Sequence, residues 1–244
     1  MTKFTAIVCT ALLLPAISRA APTDQVIVAA MKLVEAKNYA WVTSVPSVGR
    51  ALPVREGRSA KDGFTRVTFI DPQSPMLRLI SRMNDGIVTA VFHGSDRFVF
   101  QTADGWKTGA DLAQLGQRRR TRNGPDYWIA LQAPHEELEI IVGSYTELHV
   151  VKGGVAGTLS EDGARQLLGS TKAPAVRAAG TFGLAISNGV LRYYTLDLTG
   201  TVLLDEDGVE KESPPQHRIL ITELKNAGIS PPEVPDEARL KLEP

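Results

Sequence analysis

The fold is set by residues 180–204, which read GTFGLAISNGVLRYYTLDLTGTVLL. Two strand-forming runs flank Asn188-Gly189, and both turn residues tolerate the positive φ that a two-residue type I′ turn needs. Even-numbered positions of the second run are mostly apolar, as Val190, Tyr194, Leu196, Leu198 and Val202. This alternation is typical of an antiparallel strand with one buried and one solvated face. The stretch therefore predicts a long hairpin whose apolar face needs a cover.

Further strands are predicted on both sides of this hairpin, because short β-branched and aromatic runs recur between turn residues. They cover residues 39–44, 64–70, 76–83, 87–92, 97–102, 147–151, 155–159 and 216–224. The run 76–83 fits a helix or a strand, and its tight linkage to Asn84-Asp85-Gly86 favours the strand. Residues 49–61 are polar and are expected to be irregular.

Helices are predicted where apolar residues recur at three- and four-residue spacing. An amphipathic helix begins at Thr23-Asp24-Gln25 and ends near Lys37-Asn38. An inserted helical segment follows the middle strands, with pieces at 108–115, 126–131 and 134–142. Ser160-Glu161-Asp162 caps a short helix that ends at Leu168, and residues 237–242 form a closing helical turn.

A one-sided sheet and amphipathic helices each need an apolar partner, so they are expected to cover one another. The fold class is therefore α+β, with a strongly curved antiparallel sheet covered on one face by the N-terminal helix and the short inserted helices. The sequence shows no internal repeat and no convincing boundary, which predicts a single domain over residues 21–244.

Composition excludes several classes of protein. The chain has 244 residues, is 43% hydrophobic, and carries 27 basic and 27 acidic side chains. This hydrophobic content disfavours disorder, and the balanced charge argues against a nucleic-acid binder, whose surface has an excess of Lys and Arg. A length of roughly 200–250 residues still suits one domain.

Residues 1–20 have the pattern of a secretory signal peptide, with a basic start at Lys3 and an apolar core over residues 6–16. Cleavage is expected near Ala20 or Ala21, and the apolar run is shorter than the roughly 20 residues of a membrane-spanning helix. Cys9 lies inside the apolar core, which disfavours a lipid-attachment site. We therefore expect a periplasmic or secreted protein whose mature chain is slightly acidic and free of cysteine.

Catalytic motifs are missing from the sequence. It has no G-x-S-x-G element, and its only cysteine lies in the expected leader. The histidines are scattered over four predicted elements, at His93, His135, His149 and His217, and His135-Glu136-Glu137 lacks the second histidine of a zinc motif. We therefore expect no enzyme activity, no metal and no cofactor, with a hydrolase as a third choice if a histidine, a carboxylate and a hydroxyl converge in a pocket.

Two further features have alternative interpretations. The basic run Arg118 to Arg122 fits a solvated loop better than a site for an anionic lipid or an acidic partner. Aromatic side chains on strands and helices are most often core residues, although the same residues can line a cavity for an apolar ligand.

Three short motifs carry a resemblance to a known family. They are Lys37-Asn38-Tyr39-Ala40-Trp41, Thr102-Ala103-Asp104-Gly105-Trp106-Lys107 and Val234-Pro235-Asp236-Glu237-Ala238. With the order of elements, they make residues 22–242 similar to the LolA-like lipoprotein-carrier superfamily and to secreted bacterial proteins of similar length. The resemblance implies a half-open β-barrel under helices, with an acyl chain or other apolar ligand between them. It brings no catalytic residue.

The leading hypothesis is an exported, monomeric, non-enzymatic protein that binds a lipid or other apolar ligand between the concave sheet and its helices. The candidate lining consists of Trp41, Phe69, Phe98, Phe100, Trp106, Trp128, Tyr194 and Leu196. The alternative is a structural or protein-interaction module of the cell envelope with a solid core and an envelope protein as partner. An exposed apolar patch or an exposed sheet edge would favour that alternative.

Overall fold

Antiparallel strand pairing dominates the computed structural model, which describes residues 22–47, 50–60, 63–70, 86–94, 97–111, 132–169, 174–206, 209–228 and 231–243. Its helices are α1 (Pro22–Val34), α2 (Pro134–Ser144), α3 (Glu161–Leu168) and α4 (Asp236–Leu242). The first six strands are β1 (Asn38–Ser47), β2 (Arg50–Ala60), β3 (Phe64–Ile70), β4 (Ile87–His93), β5 (Arg97–Thr102) and β6 (Gly105–Thr108). The other six are β7 (Tyr145–Val151), β8 (Gly154–Leu159), β9 (Ala175–Ser187), β10 (Val190–Glu206), β11 (Val209–Glu212) and β12 (Gln216–Ala227).

Some predictions lie outside these residues. They are the signal peptide, the strand at 76–83, the helix at 126–131 with Trp128, and the basic run Arg118 to Arg122.

The strands form one antiparallel sheet in the order β6-β5-β4-β3-β2-β1-β12-β10-β9-β8-β7, and β11 adds to β10 outside this path. Strand β12 inserts between β1 and β10, so the first and last strands of the chain are neighbours. Within the described residues the end strands β6 and β7 do not pair, so the sheet stays open. The prediction of an α+β fold built on an antiparallel sheet is confirmed.

The hairpin of β9 and β10 has the turn that the sequence predicts. Asn188 has φ of 54° and Gly189 has φ of 72°, as a type I′ turn requires. The pairing register shifts between Leu191 and Tyr193, which corrects the predicted alternation at its start. Leu191 is buried and Val190 is 52% exposed, whereas Tyr194, Leu196 and Leu198 are buried as expected.

Residues 50–60 form strand β2, so the prediction of an irregular segment at 49–61 is wrong where the structure describes it. Strand β2 pairs with β1 and with β3. The sequence pattern does not reveal β2, because the buried side of an ordinary strand carries apolar residues. Strand β2 carries Arg55, Gly57 and Ser59 on that side. Each of these three residues instead has a partner inside the fold: Arg55 contacts Glu137, and both Gly57 and Ser59 contact Trp41.

The two faces of the sheet are covered by different helices. Helices α1 and α3 pack on strands β8 to β10, and we call this side the inner face. Val26, Ala29, Ala30 and Leu33 of α1 are buried, at the spacing that the amphipathic pattern predicts, although α1 ends at Val34, before Lys37-Asn38. Helix α3 begins at the predicted cap, where the Ser160 hydroxyl accepts from the Gly163 N–H. Helix α4 packs on β4 to β6 from the outer face.

Candidate functional site

The register of the strands aligns inner-face side chains into rows that cross the sheet. Three such rows are Tyr39-Ser59-Thr65-Phe92-Phe98, Trp41-Gly57-Val67-Ala90-Phe100 and Tyr194-Thr222-Thr43-Arg55-Phe69-Val88. Each row begins with polar or hydrogen-bonding residues near β1 and ends with apolar residues on β3 to β5. The inner face therefore has a polar centre, with an apolar surface beside it.

Four phenylalanines form that apolar surface, which we call the phenylalanine cluster: Phe69, Phe92, Phe98 and Phe100. The Phe69 ring centroid lies 6.3 Å from those of both Phe92 and Phe100. Phe98 lies 5.8 Å from Phe92 and 5.5 Å from Phe100, so the rings are continuous. Phe92 and Phe100 are buried, and Phe69 and Phe98 are half-buried. Tilted aromatic contacts of this kind make a surface that suits apolar ligands.

A buried ion pair lies next to this cluster, because Arg55 on β2 is the cross-strand partner of Phe69 on β3. The Arg55 Nη2 group donates to Glu137 Oε1 of α2 over 2.9 Å. Tyr194 of β10 donates its hydroxyl proton to Glu137 Oε2. Glu137 is only 5% exposed, so the carboxylate depends on these two donors for its stabilisation. Burial, followed by the negative charge of Glu137, raises the pKa of Tyr194 well above its ordinary value.

The first turn of α2 is held to β1 by a second polar contact. The Tyr39 hydroxyl accepts from the His135 backbone N–H over 3.0 Å, and it lies 2.5 Å from His135 Nδ1. Burial raises the pKa of Tyr39 far above its ordinary value. Next to it, the Ser59 hydroxyl accepts from Trp41 Nε1 at 3.1 Å and from Thr65 Oγ1 at 3.2 Å. Helix α2 is thus fixed to the centre of the sheet by polar contacts of two residues in its first turn, His135 and Glu137.

Gly57 allows the indole of Trp41 to lie across β2. A Cβ atom on Gly57 would be 2.6 Å from Trp41 Cζ2 and 3.0 Å from the Arg66 carbonyl oxygen. Both distances are too short, so a larger residue must displace the ring or the strand. The same ring lies 5.7 Å from the Arg55 guanidinium carbon, in a cation–π contact.

We expect Gly57→Ala to lower the free energy of unfolding by about 1–3 kcal/mol, because it overpacks the space under Trp41. Chemical denaturation followed by tryptophan fluorescence measures the change. The matched control is Gly143→Ala in α2, where an added Cβ meets nothing within 4 Å. A helical Gly→Ala change there is expected to stabilise by up to about 1 kcal/mol. Equal effects at both positions would contradict the close approach of Trp41.

The structure brings most of the predicted lining residues to one face. Trp41, Phe69, Phe98, Phe100, Tyr194 and Leu196 all lie on the inner face. Trp106 does not join them, because it packs on the outer face against Phe64, Val91 and α4. Phe92, Arg55 and Glu137 also lie on this face or against it and are not among the predicted lining residues. Phe92 could have been found from its alternation with Ala90 on β4, whereas nothing in the sequence pattern marks the other two.

A shallow depression of about 470 Å³ lies on the surface between α2 and α3. Polar groups such as Glu136, Glu139, Ser144 and Gln166 line most of it. Burial raises the pKa of the Glu136 carboxyl, although its hydrogen bond from the Ala133 N–H acts in the opposite direction. This depression is open and polar, and none of the residues that line it belongs to the phenylalanine cluster.

One histidine–carboxylate pair occurs on the outer face. His217 Nε2 of β12 lies 2.8 Å from Asp197 Oδ1 of β10, and the two side chains are 57% and 49% exposed. Both side chains are thus more exposed than the groups of a hydrolase site, which lie in a pocket. Among the described residues, no group of three or more His, Cys, Asp or Glu side chains is arranged to hold a metal ion.

None of the helices in the described parts of the chain is long and apolar enough to cross a membrane. No family model matches the sequence. No curated protein matches it either. Among solved structures, the chain is similar to LprF from Mycobacterium bovis, with 12% identity and a TM-score of 0.43. The match covers 89% of this chain and 97% of that chain. A similarity this distant says nothing about the function of this chain.

Proposed function

We propose that the protein is an exported, non-enzymatic binding protein whose ligand is a lipid or another apolar molecule held on the inner face of the sheet. The observation that carries this proposal is the phenylalanine cluster. Four rings form a continuous cluster on β3 to β5, in which Phe92 and Phe100 are more buried than Phe69 and Phe98, while α1 and α3 pack on β8 to β10, farther along the same sheet. The two half-buried rings, Phe69 and Phe98, are the ones that a ligand would contact first.

The polar centre of the face supports the same proposal. The ion pair of Arg55 and Glu137 adjoins the phenylalanine cluster, because Arg55 is the immediate cross-strand neighbour of Phe69. A ligand on the cluster would therefore be apolar along the phenylalanine rings and would meet the polar centre at one end. An amphipathic molecule with an acyl chain has this distribution of polarity.

Substitution of the half-buried rings tests the proposal. We expect Phe69→Ala and Phe98→Ala each to weaken binding of a fluorescent fatty acyl probe by about tenfold, because each removes apolar contact area worth roughly 1.5–3 kcal/mol. Phe64→Leu is the matched control, because Phe64 lies on the same strand β3 but faces the outer cluster with Trp106. Fluorescence titration of the purified full chain measures the dissociation constants.

The natural ligand is tested separately by solvent extraction of the purified protein and mass spectrometry of the extract. Recovery of a stoichiometric lipid from the wild type, and its loss from the Phe69→Ala/Phe98→Ala variant, would support the proposal. Absence of both a co-purified lipid and probe binding would overturn it. That result would favour the alternative of a cell-envelope interaction module with a solid core, for which the exposed edge strand β7 is the supporting observation.

A further inference from the structure

Strand β7 is an exposed edge of the sheet. In the described residues it pairs with β8 and lies at the end of the strand order. Six of its seven residues are exposed, and Leu148 is half-buried. Tyr145 is 42% exposed, Val150 57% and Val151 41%, so the edge is apolar as well as open. The opposite end strand, β6, has only four residues and is packed against α4.

Edge strands usually carry features that prevent pairing with another chain, such as proline, lysine or a very short length. Strand β7, with the sequence YTELHVV, has neither proline nor lysine, and its pairing with β8 is regular from Glu147 to Val151, after a register shift between Tyr145 and Glu147. Within the described residues no strand pairs with its other side, and such an edge can take a further antiparallel strand. Helix α1 also contacts β7.

We propose that a second copy of this chain pairs with β7, strand against strand, about a two-fold axis at Leu148. Side-chain complementarity selects this register, because the ring N–H of an imidazole can donate a hydrogen bond to a carboxylate. An antiparallel pair centred on Leu148 places Glu147 of each copy opposite His149 of the other, twice by symmetry. Centring the pair on Glu147 would place two carboxylates opposite each other, which is unfavourable. With the axis at Leu148, the leucines of the two copies meet on the inner face.

This interaction is independent of the ligand proposal and departs from the monomer expected from the sequence. A single strand pair is small compared with the roughly 800 Å² that each partner buries in a standard interface. The exposed apolar side chains of β7 itself, Tyr145, Val150 and Val151, enlarge the contact. We therefore expect a weak, concentration-dependent dimer rather than an obligate one.

Sedimentation velocity over a range of protein concentrations tests the dimer. The wild type is expected to dimerise, and His149→Glu is expected to weaken the association at least about tenfold, because like charges then face each other twice. The exchange variant E147H/H149E again places a carboxylate opposite an imidazole and should recover the association. Lys225→Glu, an exposed charge change on β12, is the control and should leave it unchanged.

Cross-linking tests the register. Cα atoms directly opposite in an antiparallel pair are about 4.5–5.5 Å apart, within the usual range for a disulfide. In a Cys9→Ser background, which removes the only native cysteine, Leu148→Cys should give a disulfide-linked dimer under mild oxidation. Val209→Cys, an exposed position on β11, should not. A wild type that stays monomeric at all concentrations, or equal cross-linking at both positions, would overturn the proposal.

Discussion

Replacing Glu137 by alanine is expected to lower the free energy of unfolding by about 3–5 kcal/mol, the usual cost of breaking a buried ion pair from one side. The substitution leaves the Arg55 guanidinium, whose side chain is 14% exposed, without its carboxylate. It also removes the acceptor of the Tyr194 hydroxyl proton. Urea unfolding of the wild type and the variant at neutral pH measures the difference.

Glu139→Ala is the matched control, because Glu139 lies on the same helix but is exposed. We expect its effect to stay within about 0.5 kcal/mol, as for most surface substitutions. The double variant Arg55→Met/Glu137→Leu should recover much of the lost stability, because apolar residues of similar size can replace a buried ion pair at little cost. A Glu137→Ala variant as stable as the Glu139→Ala variant would show that the pair is not buried as described.

Stability is expected to fall steeply above about pH 10, the ordinary pKa of tyrosine in an unfolded chain. Burial raises the pKa of both Tyr39 and Tyr194, so the folded state keeps two protons that the unfolded state loses. A raised folded pKa contributes stability that is fully present below the unfolded pKa and is lost as the pH rises towards the folded value. Each tyrosine adds a slope of about 1.4 kcal/mol per pH unit in that range.

Denaturant unfolding between pH 8 and pH 12 measures this slope. Tyr39→Phe should reduce it by about 1.4 kcal/mol per pH unit, because one of the two retained protons is gone. Tyr193→Phe is the control, because Tyr193 is 45% exposed and lies on the same strand, β10, as Tyr194. If Tyr39→Phe and Tyr193→Phe give the same pH dependence as the wild type, the buried tyrosines do not control alkaline unfolding.

Both predictions concern the polar centre of the inner face, and both bear on the proposed ligand site. Glu137 and His135 attach α2 to β1, β2 and β10 through hydrogen bonds at the boundary of the phenylalanine cluster. Removing these hydrogen bonds is therefore expected to displace α2 at the polar end of the proposed ligand site. The phenylalanine rings themselves make no hydrogen bond, so Phe98→Ala should change probe affinity without changing the alkaline slope.

Much of the fold could be predicted because its signals are local. The turn at Asn188-Gly189, the helix cap at Ser160 and the buried stripe of α1 each depend on residues within a few positions of one another. Alternation along β10 identified Tyr194, Leu196 and Leu198 as inward-facing, since side chains of a strand alternate between its two faces. The same local rule placed Phe98 and Phe100 on β5 among the candidate lining residues.

Only the tertiary structure revealed strand β2 and the polar centre. Arg55 is separated by 82 residues from Glu137, and Glu137 by 57 residues from Tyr194, so no local pattern connects them. A polar residue faces inward only when the fold supplies its hydrogen-bonding partner, and that partner is known only once the strands are in register. The sequence thus determined which strands alternate and where they turn, and three-dimensional packing decided which polar residues the sheet could bury.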